Sequence, residues 1–162
     1  MAGGEAAVDQ TFMSAAVEAS AEGVARRDGG PFGAVVVRQG RIIARAWNRV
    51  VRDQDPTAHA EVNAIREACR ALGRFHLEDC ELYTSCEPCP MCLGAVYWAK
   101  LGAVYFAASR EDAAAAGFGD AWIYEELARP PEARGVRFVK AEAAGAVAVM
   151  RRWQADAGRQ PY

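Results

Sequence analysis

Two short segments constrain this 162-residue chain more than any other feature: Thr57-Ala58-His59-Ala60-Glu61 and Cys86-Glu87-Pro88-Cys89-Pro90-Met91-Cys92. Each stands where a helix is expected to begin. A helix start presents free backbone N–H groups and a partial positive charge. Both favour a thiolate over a thiol, and the thiolate is the form that binds zinc. A Cys-x-x-Cys pair at such a start can turn both sulfurs onto one ion, and one imidazole completes a set of three protein ligands. Three ligands and a water form a catalytic site, whereas four protein ligands form a structural one. His59, Cys89 and Cys92 are therefore the expected ligands of one zinc ion per chain, and any fold must bring those two helix starts together. Glu61, two residues beyond His59, can approach the metal without replacing a ligand. Zinc lowers the pKa of its water to about 7 in favourable sites, and Glu61 is placed to take that proton and pass it on.

The remaining sequence supplies the elements around this pair. A helix is expected over 11–27, with Phe12, Ala16, Ala19 and Val24 near one face and Asp28-Gly29-Gly30-Pro31 ending it. The runs 33–37 and 41–47 are β-branched or apolar, and Gln39-Gly40 joins them as a hairpin. A turn-rich loop over 53–57 precedes a helix over 58–72, which Gly73 stops. Further strands are expected at 81–84, 103–107 and 136–140, and helices at 91–100, 111–116, 120–127 and 144–156. A hairpin followed by strand–helix alternation implies an α/β fold with a mixed five-stranded sheet and helices on both faces. One domain over 11–157 is expected, with a flexible N-terminus over 1–10 and a C-terminal tail over 158–162.

Cys86 offers a competing chemistry. Cys86-x-x-Cys89-x-x-Cys92 opens like an iron–sulfur run, but that run needs another Cys at position 96 and a Pro after it. Val96 and Tyr97 stand there instead. Cys86 could also be a fourth ligand, making a structural zinc, although Glu61 would then have no task. Cys69 and Cys80 read as buried small hydrophobes, and His76 as a structural or surface residue. Five cysteines, an odd number with three inside seven residues, point to metal chemistry before disulfides. No basic, then apolar, secretory pattern opens the chain, so a cytoplasmic location is expected. No apolar run approaches the roughly 18 residues of a membrane span. A net charge of −2 weighs against binding nucleic acid through phosphate contacts.

His-x-Glu followed by Pro-Cys-x-x-Cys is the ligand and acid/base signature of zinc deaminases, and at these residues the chain resembles the cytidine deaminase-like superfamily. Over longer stretches it looks closer still to bacterial guanine deaminases of the small zinc type. The matching stretches are 29–37 (GGPFGAVVV), 55–66 (DPTAHAEVNAIR), 82–99 (LYTSCEPCPMCLGAVYWA) and 116–120 (AGFGD). The resemblance runs from about Phe12 to Tyr162, more loosely over the last strand and helix. It implies a three-layer α/β/α sandwich and hydrolysis of guanine at C2 to xanthine and ammonia. It also implies that Phe32 stacks on the purine, Asn48 hydrogen-bonds the ring and Ala60 offers its backbone N–H. Asp120 would be a second acid near the exocyclic amine. Trp98 and the terminal Tyr162 would line and close the pocket. A homodimer that exchanges its C-terminal segments is implied as well. Gly119 stands where such enzymes often carry another acid, which leaves Glu125 and Glu126 as rivals to Asp120.

Three other readings compete. Guanosine deamination would need room for a ribose. A tRNA adenosine deaminase shares the ligand blocks but must grip a phosphate backbone. A non-catalytic zinc module would use Cys86 as its fourth ligand.

Overall fold

A computed structural model describes residues 8–162. Residues 1–7, most of the expected flexible start, lie outside the described residues. The first helix, α1 (Gln10–Arg26), opens on Asp9, whose carboxylate accepts the Thr11 N–H at 2.8 Å. It buries Met13, Ala16, Ala19 and Gly23 along one face. These residues are small because the backbone beneath is close: a Cβ at Gly33 would collide with the Ala16 carbonyl and the Ser20 N–H.

Strands β1 (Gly33–Arg38) and β2 (Arg41–Trp47) pair antiparallel around Gln39 and Gly40. Both turn residues have positive φ, 50° and 70°, as a tight two-residue hairpin requires. β1 also pairs antiparallel with β3 (Cys80–Cys86), and β3 pairs parallel with β4 (Ala103–Ala108). The sheet order is β2-β1-β3-β4.

The two-residue period of β1 splits its side chains between two cores. Val35 and Val37 meet Met13, Ala16 and Tyr83 on the α1 side. Ala34 and Val36 join Ala60, Ala64, Ile65, Leu82, Val96 and Ala99 on the other. That second layer is built by α3 (Ala60–Leu72) and α4 (Pro90–Ala99). The expected three-layer α/β/α arrangement with a mixed sheet is therefore present.

Two details differ from expectation. A one-turn helix, α2 (Val50–Asp53), stands just before the expected loop; the Asp28 carbonyl holds it by accepting the N–H groups of Val51 and Arg52 at 3.1 and 2.9 Å. The sheet has four strands among the described residues, not five. The stretch 136–140 has the apolar content of a strand, but no strand is formed there, and a strand exists only by pairing with another. Val136, Phe138 and Val139 are exposed instead.

The chain divides into two compact units, the first ending at Asp120 with α5 (Arg110–Ala115) near its end, the second spanning Ala121–Tyr162. The second unit contains α6 (Ala121–Ala128), a 3-10 turn (Pro131–Ala133) and α7 (Ala144–Ala155). Glu126 ties it together by accepting from Arg129 at 2.7 Å and from the Gly135 N–H. No residue of its three helical segments is buried. Among the described residues, no helix is long and apolar enough to cross a membrane.

Candidate metal centre and active site

His59 and Cys89 occupy the same structural position in different helices. Each is the N-cap residue, of α3 and α4 respectively, with φ/ψ of −70°/156° and −65°/168°. Neither side chain caps its own helix, so each is free to turn away from it. Pro90 fills the first helical position, where a missing N–H costs nothing. Cys92 follows one turn after Cys89, at the spacing that sets two side chains side by side at a helix start.

The donor atoms converge. His59 Nδ1 lies 3.5 Å from the Cys89 sulfur and 3.5 Å from the Cys92 sulfur, and all three ligand atoms fall within 4.8 Å of one another. Two ligands of a tetrahedral zinc, one sulfur and one nitrogen, stand about 3.6 Å apart at ordinary bond lengths. The set therefore fits zinc in both chemistry and spacing. The Cys92 thiol, donating toward Cys89, pulls Cys89 down to about 4, helped by His59. Cys92, as the partner that keeps the proton, is pushed up. His59 is raised mainly by its contact with Cys89. An ion entering here displaces protons the metal-free pair shares.

Cys86 is not part of this cluster. Its thiol donates to the Ser109 carbonyl at 3.5 Å, and burial pushes it up to about 11. A thiol held protonated against a carbonyl is a poor metal ligand. Among the described residues three protein donors remain, and a zinc held by three leaves its fourth position to water or substrate.

Glu61 sits at the second position of α3 with 5% of its surface exposed. One oxygen accepts from Thr84 Oγ1 at 3.3 Å, the other from the Cys92 sulfur at 3.4 Å. Burial raises its pKa, which suits a carboxyl group that must both take and give a proton near neutrality. Ala60 is fully buried at the first position of α3, where backbone N–H groups have no partner within the helix.

Asn48 directly follows β2. Its Oδ1 accepts the Gly30 and Val50 N–H groups, both at 3.2 Å, and its backbone N–H donates to the Phe32 carbonyl at 2.9 Å. Fixing Oδ1 in this way points the NH2 end of the amide elsewhere, as a donor. A Cβ at Gly29 would collide with that Oδ1. Phe32 packs on the core from one side. Asp120 is raised by burial and then by the negative charge of Cys89, which places it in the electrostatic neighbourhood of the cluster. Trp98 is 69% exposed near the end of α4, and Tyr162, in the second unit, is 74% exposed. Of the rivals to Asp120, Glu126 is engaged by Arg129 and Gly135 within its own unit. His76 packs edge-on against Phe75, remote in role from the cluster.

Three residues escaped the sequence reading. Thr84, fully buried, touches both Glu61 and the Gly33 carbonyl. Ser85 accepts the Gly33 N–H at 3.0 Å. Asn63, 1% exposed, donates from one amide nitrogen to the carbonyls of Trp47 and Ala58, both at 3.0 Å. Those carbonyls directly precede Asn48 and His59. The only sequence signal for Asn63 was a polar residue on the apolar stripe of α3, beside Ala60 and Ala64.

The cytidine and deoxycytidylate deaminase zinc-binding region matches residues 6–108. The guanine deaminase of Bacillus subtilis (strain 168) is 50% identical over 153 residues, covering 94% of this chain and 98% of that protein. The X-ray structure of guanine deaminase from Bacillus subtilis superposes with a TM-score of 0.92 at 49% identity, covering 96% of this chain and 99% of the other. The tRNA-specific adenosine deaminase of Aquifex aeolicus is also 50% identical, but over only 78 residues, 48% of this chain and 52% of that protein.

Proposed function

The chain belongs to the family of cytidine and deoxycytidylate deaminase zinc-binding proteins, and from that premise we propose that it is a zinc-dependent hydrolase converting guanine and water to xanthine and ammonia. The observation that carries this reading is a buried Glu61 set against an open three-donor metal cluster, in a chain whose likeness to a guanine deaminase runs its full length. Likeness to the Aquifex aeolicus tRNA deaminase stops at about half.

His59, Cys89 and Cys92 would hold one zinc ion, which when bound would supply a Lewis acid and a water of lowered pKa. Phe32 stacks on the purine, and the NH2 end of Asn48 donates to an acceptor on the ring. The Ala60 N–H, unpaired at the helix start, adds a second donor. Glu61 takes the proton of the attacking water at one carboxylate oxygen and delivers it to the ring nitrogen. It then takes the proton of the hydroxyl added at C2 and hands it to the amine, so that C2=O forms as the C2–N bond breaks and ammonia leaves. Asp120, its pKa raised by burial, is the second acidic group beside that amine.

Trp98 lines the pocket and Tyr162 closes it. We assign that Tyr162 to a second copy of the chain, in a homodimer that exchanges C-terminal segments. Support comes from a second unit whose helical segments bury nothing and which leaves Trp122, Phe138, Met150 and Trp153 48–69% exposed. The five cysteines, none in a disulfide, suit a reducing, cytoplasmic setting.

Steady-state ammonia release from guanine, guanosine and adenosine tests the substrate. Guanine should exceed guanosine by about a hundredfold in kcat/KM, since a closed pocket excludes the ribose. Comparable turnover of guanosine would overturn the choice of the free base.

A further inference from the structure

We propose that Phe118 is a positioning residue for the reaction: it sets the plane of Phe32 and thereby the affinity for the purine. The two rings are perpendicular, at 85°, with centroids 5.0 Å apart. This is the edge-to-face arrangement that aromatic quadrupoles favour. Phe32 is held by the core on one side, and Phe118 meets it from another. A perpendicular contact engages only one face or one edge of Phe32.

The backbone around the pair is shaped for it. A Cβ at Gly30 would lie 3.1 Å from Phe32 Cδ2 and Cε2 and 3.2 Å from Phe118 Cε1, so both rings rest over a residue without a side chain. Phe118 reaches that place because Gly117, the residue after the C-cap of α5, turns the chain at φ +93°. Its own N–H donates to the Ala113 carbonyl at 2.9 Å, which anchors the turn. Two residues on is Asp120, the proposed second acid. The ring is 45% exposed and belongs to neither core cluster, so the fold gives it no structural task large enough to explain its place. Without Phe118, Phe32 regains side-chain freedom that purine binding must then remove.

The inference rests on the reading of Phe32 as the stacking ring, and the test separates the two. Phe32→Ala, Phe118→Ala, Phe118→Leu and the Phe32→Ala/Phe118→Ala double variant are assayed on guanine in the zinc-loaded enzyme, with thermal melting as a check on folding. Phe118→Ala should raise KM about fivefold with kcat nearly unchanged, the size expected for a lost aromatic pair. Phe118→Leu, which keeps apolar bulk but no ring, should show most of that increase. The double variant should have the KM of Phe32→Ala alone, because Phe118 acts through Phe32. If Phe32→Ala leaves KM unchanged, the stacking reading fails and this inference with it. If Phe32→Ala raises KM while Phe118→Ala does not, the inference alone fails. Effects that multiply in the double variant would also overturn it.

Discussion

Glu61 and Cys86 are both buried acids near one metal cluster, and their neighbours give them opposite tasks. Glu61 touches a hydroxyl and a ligand sulfur, both able to donate. Cys86 faces a carbonyl, which can only accept, and so keeps its proton. Glu61→Gln should therefore retain about one zinc per chain while kcat falls roughly a thousandfold, the scale of general acid–base catalysis. Metal analysis beside steady-state kinetics checks both halves. Cys86→Ser should keep the zinc as well; its release would restore the structural-zinc reading. The cluster also carries a pH dependence with a definite sign. Cys92 is raised and must lose its proton to ligate, whereas Cys89, near 4, is already a thiolate. Zinc affinity should therefore weaken as pH falls, and competition with a chelator at pH 6 and pH 8 measures it.

At the scale of elements, the site depends on two helix starts and the loop from β2. Asn63 joins them: its amide bonds the carbonyl before Asn48 and the carbonyl before His59. Asn63→Ala leaves the Trp47 carbonyl short of a donor in a partly buried place, which costs about 1–3 kcal/mol. Thermal melting should show that loss, together with a raised KM for guanine as Asn48 loses its register. A lowered melting temperature with unchanged KM would make Asn63 merely structural. Gly33→Ala should be worse for stability alone, since backbone of α1 occupies the space for its Cβ. Most elements were legible in the sequence, because 3.6- and 2-residue periods and Gly or Pro stops mark them locally. The hairpin at Gln39-Gly40 and the helices opened by His59 and Cys89 are cases in point. α2 was not legible: Val50 and Val51 are poor helix formers, and the turn is held from outside by the Asp28 carbonyl. Asn63 was not legible either, since its partners are carbonyls whose positions only the folded chain defines.

For the whole molecule, the informative contrast is between a first unit with two cores and a second whose helical segments bury none of their residues. The stretch 136–140 looked like a strand because apolar content is local, while pairing depends on what lies alongside. The metal cluster was legible because its chemistry resides in spacing, whereas the roles of Trp98 and Tyr162 depend on which surfaces meet. A complementation experiment decides whether the tail is exchanged. Glu61→Gln and Tyr162→Ala chains, each weakly active alone, are unfolded together and refolded. If tails are exchanged, a mixed dimer holds one site with an intact Glu61 and an intact partner Tyr162. Activity should then return to about a quarter of wild type, the statistical share of intact sites. A tail that serves its own chain gives no recovery, and light scattering should find twice the chain mass in the exchanged case.

The Ala58 carbonyl accepts from both the Arg49 N–H, at 2.9 Å, and the Asn63 amide. The segment proposed to recognise the ring and the segment that carries the metal ligand thus share a single oxygen as their common fastening. Their relative placement is fixed by hydrogen bonds of the chain itself. Little configurational entropy is left for the ligand to remove there, so affinity at this part of the site reflects direct contact rather than ordering.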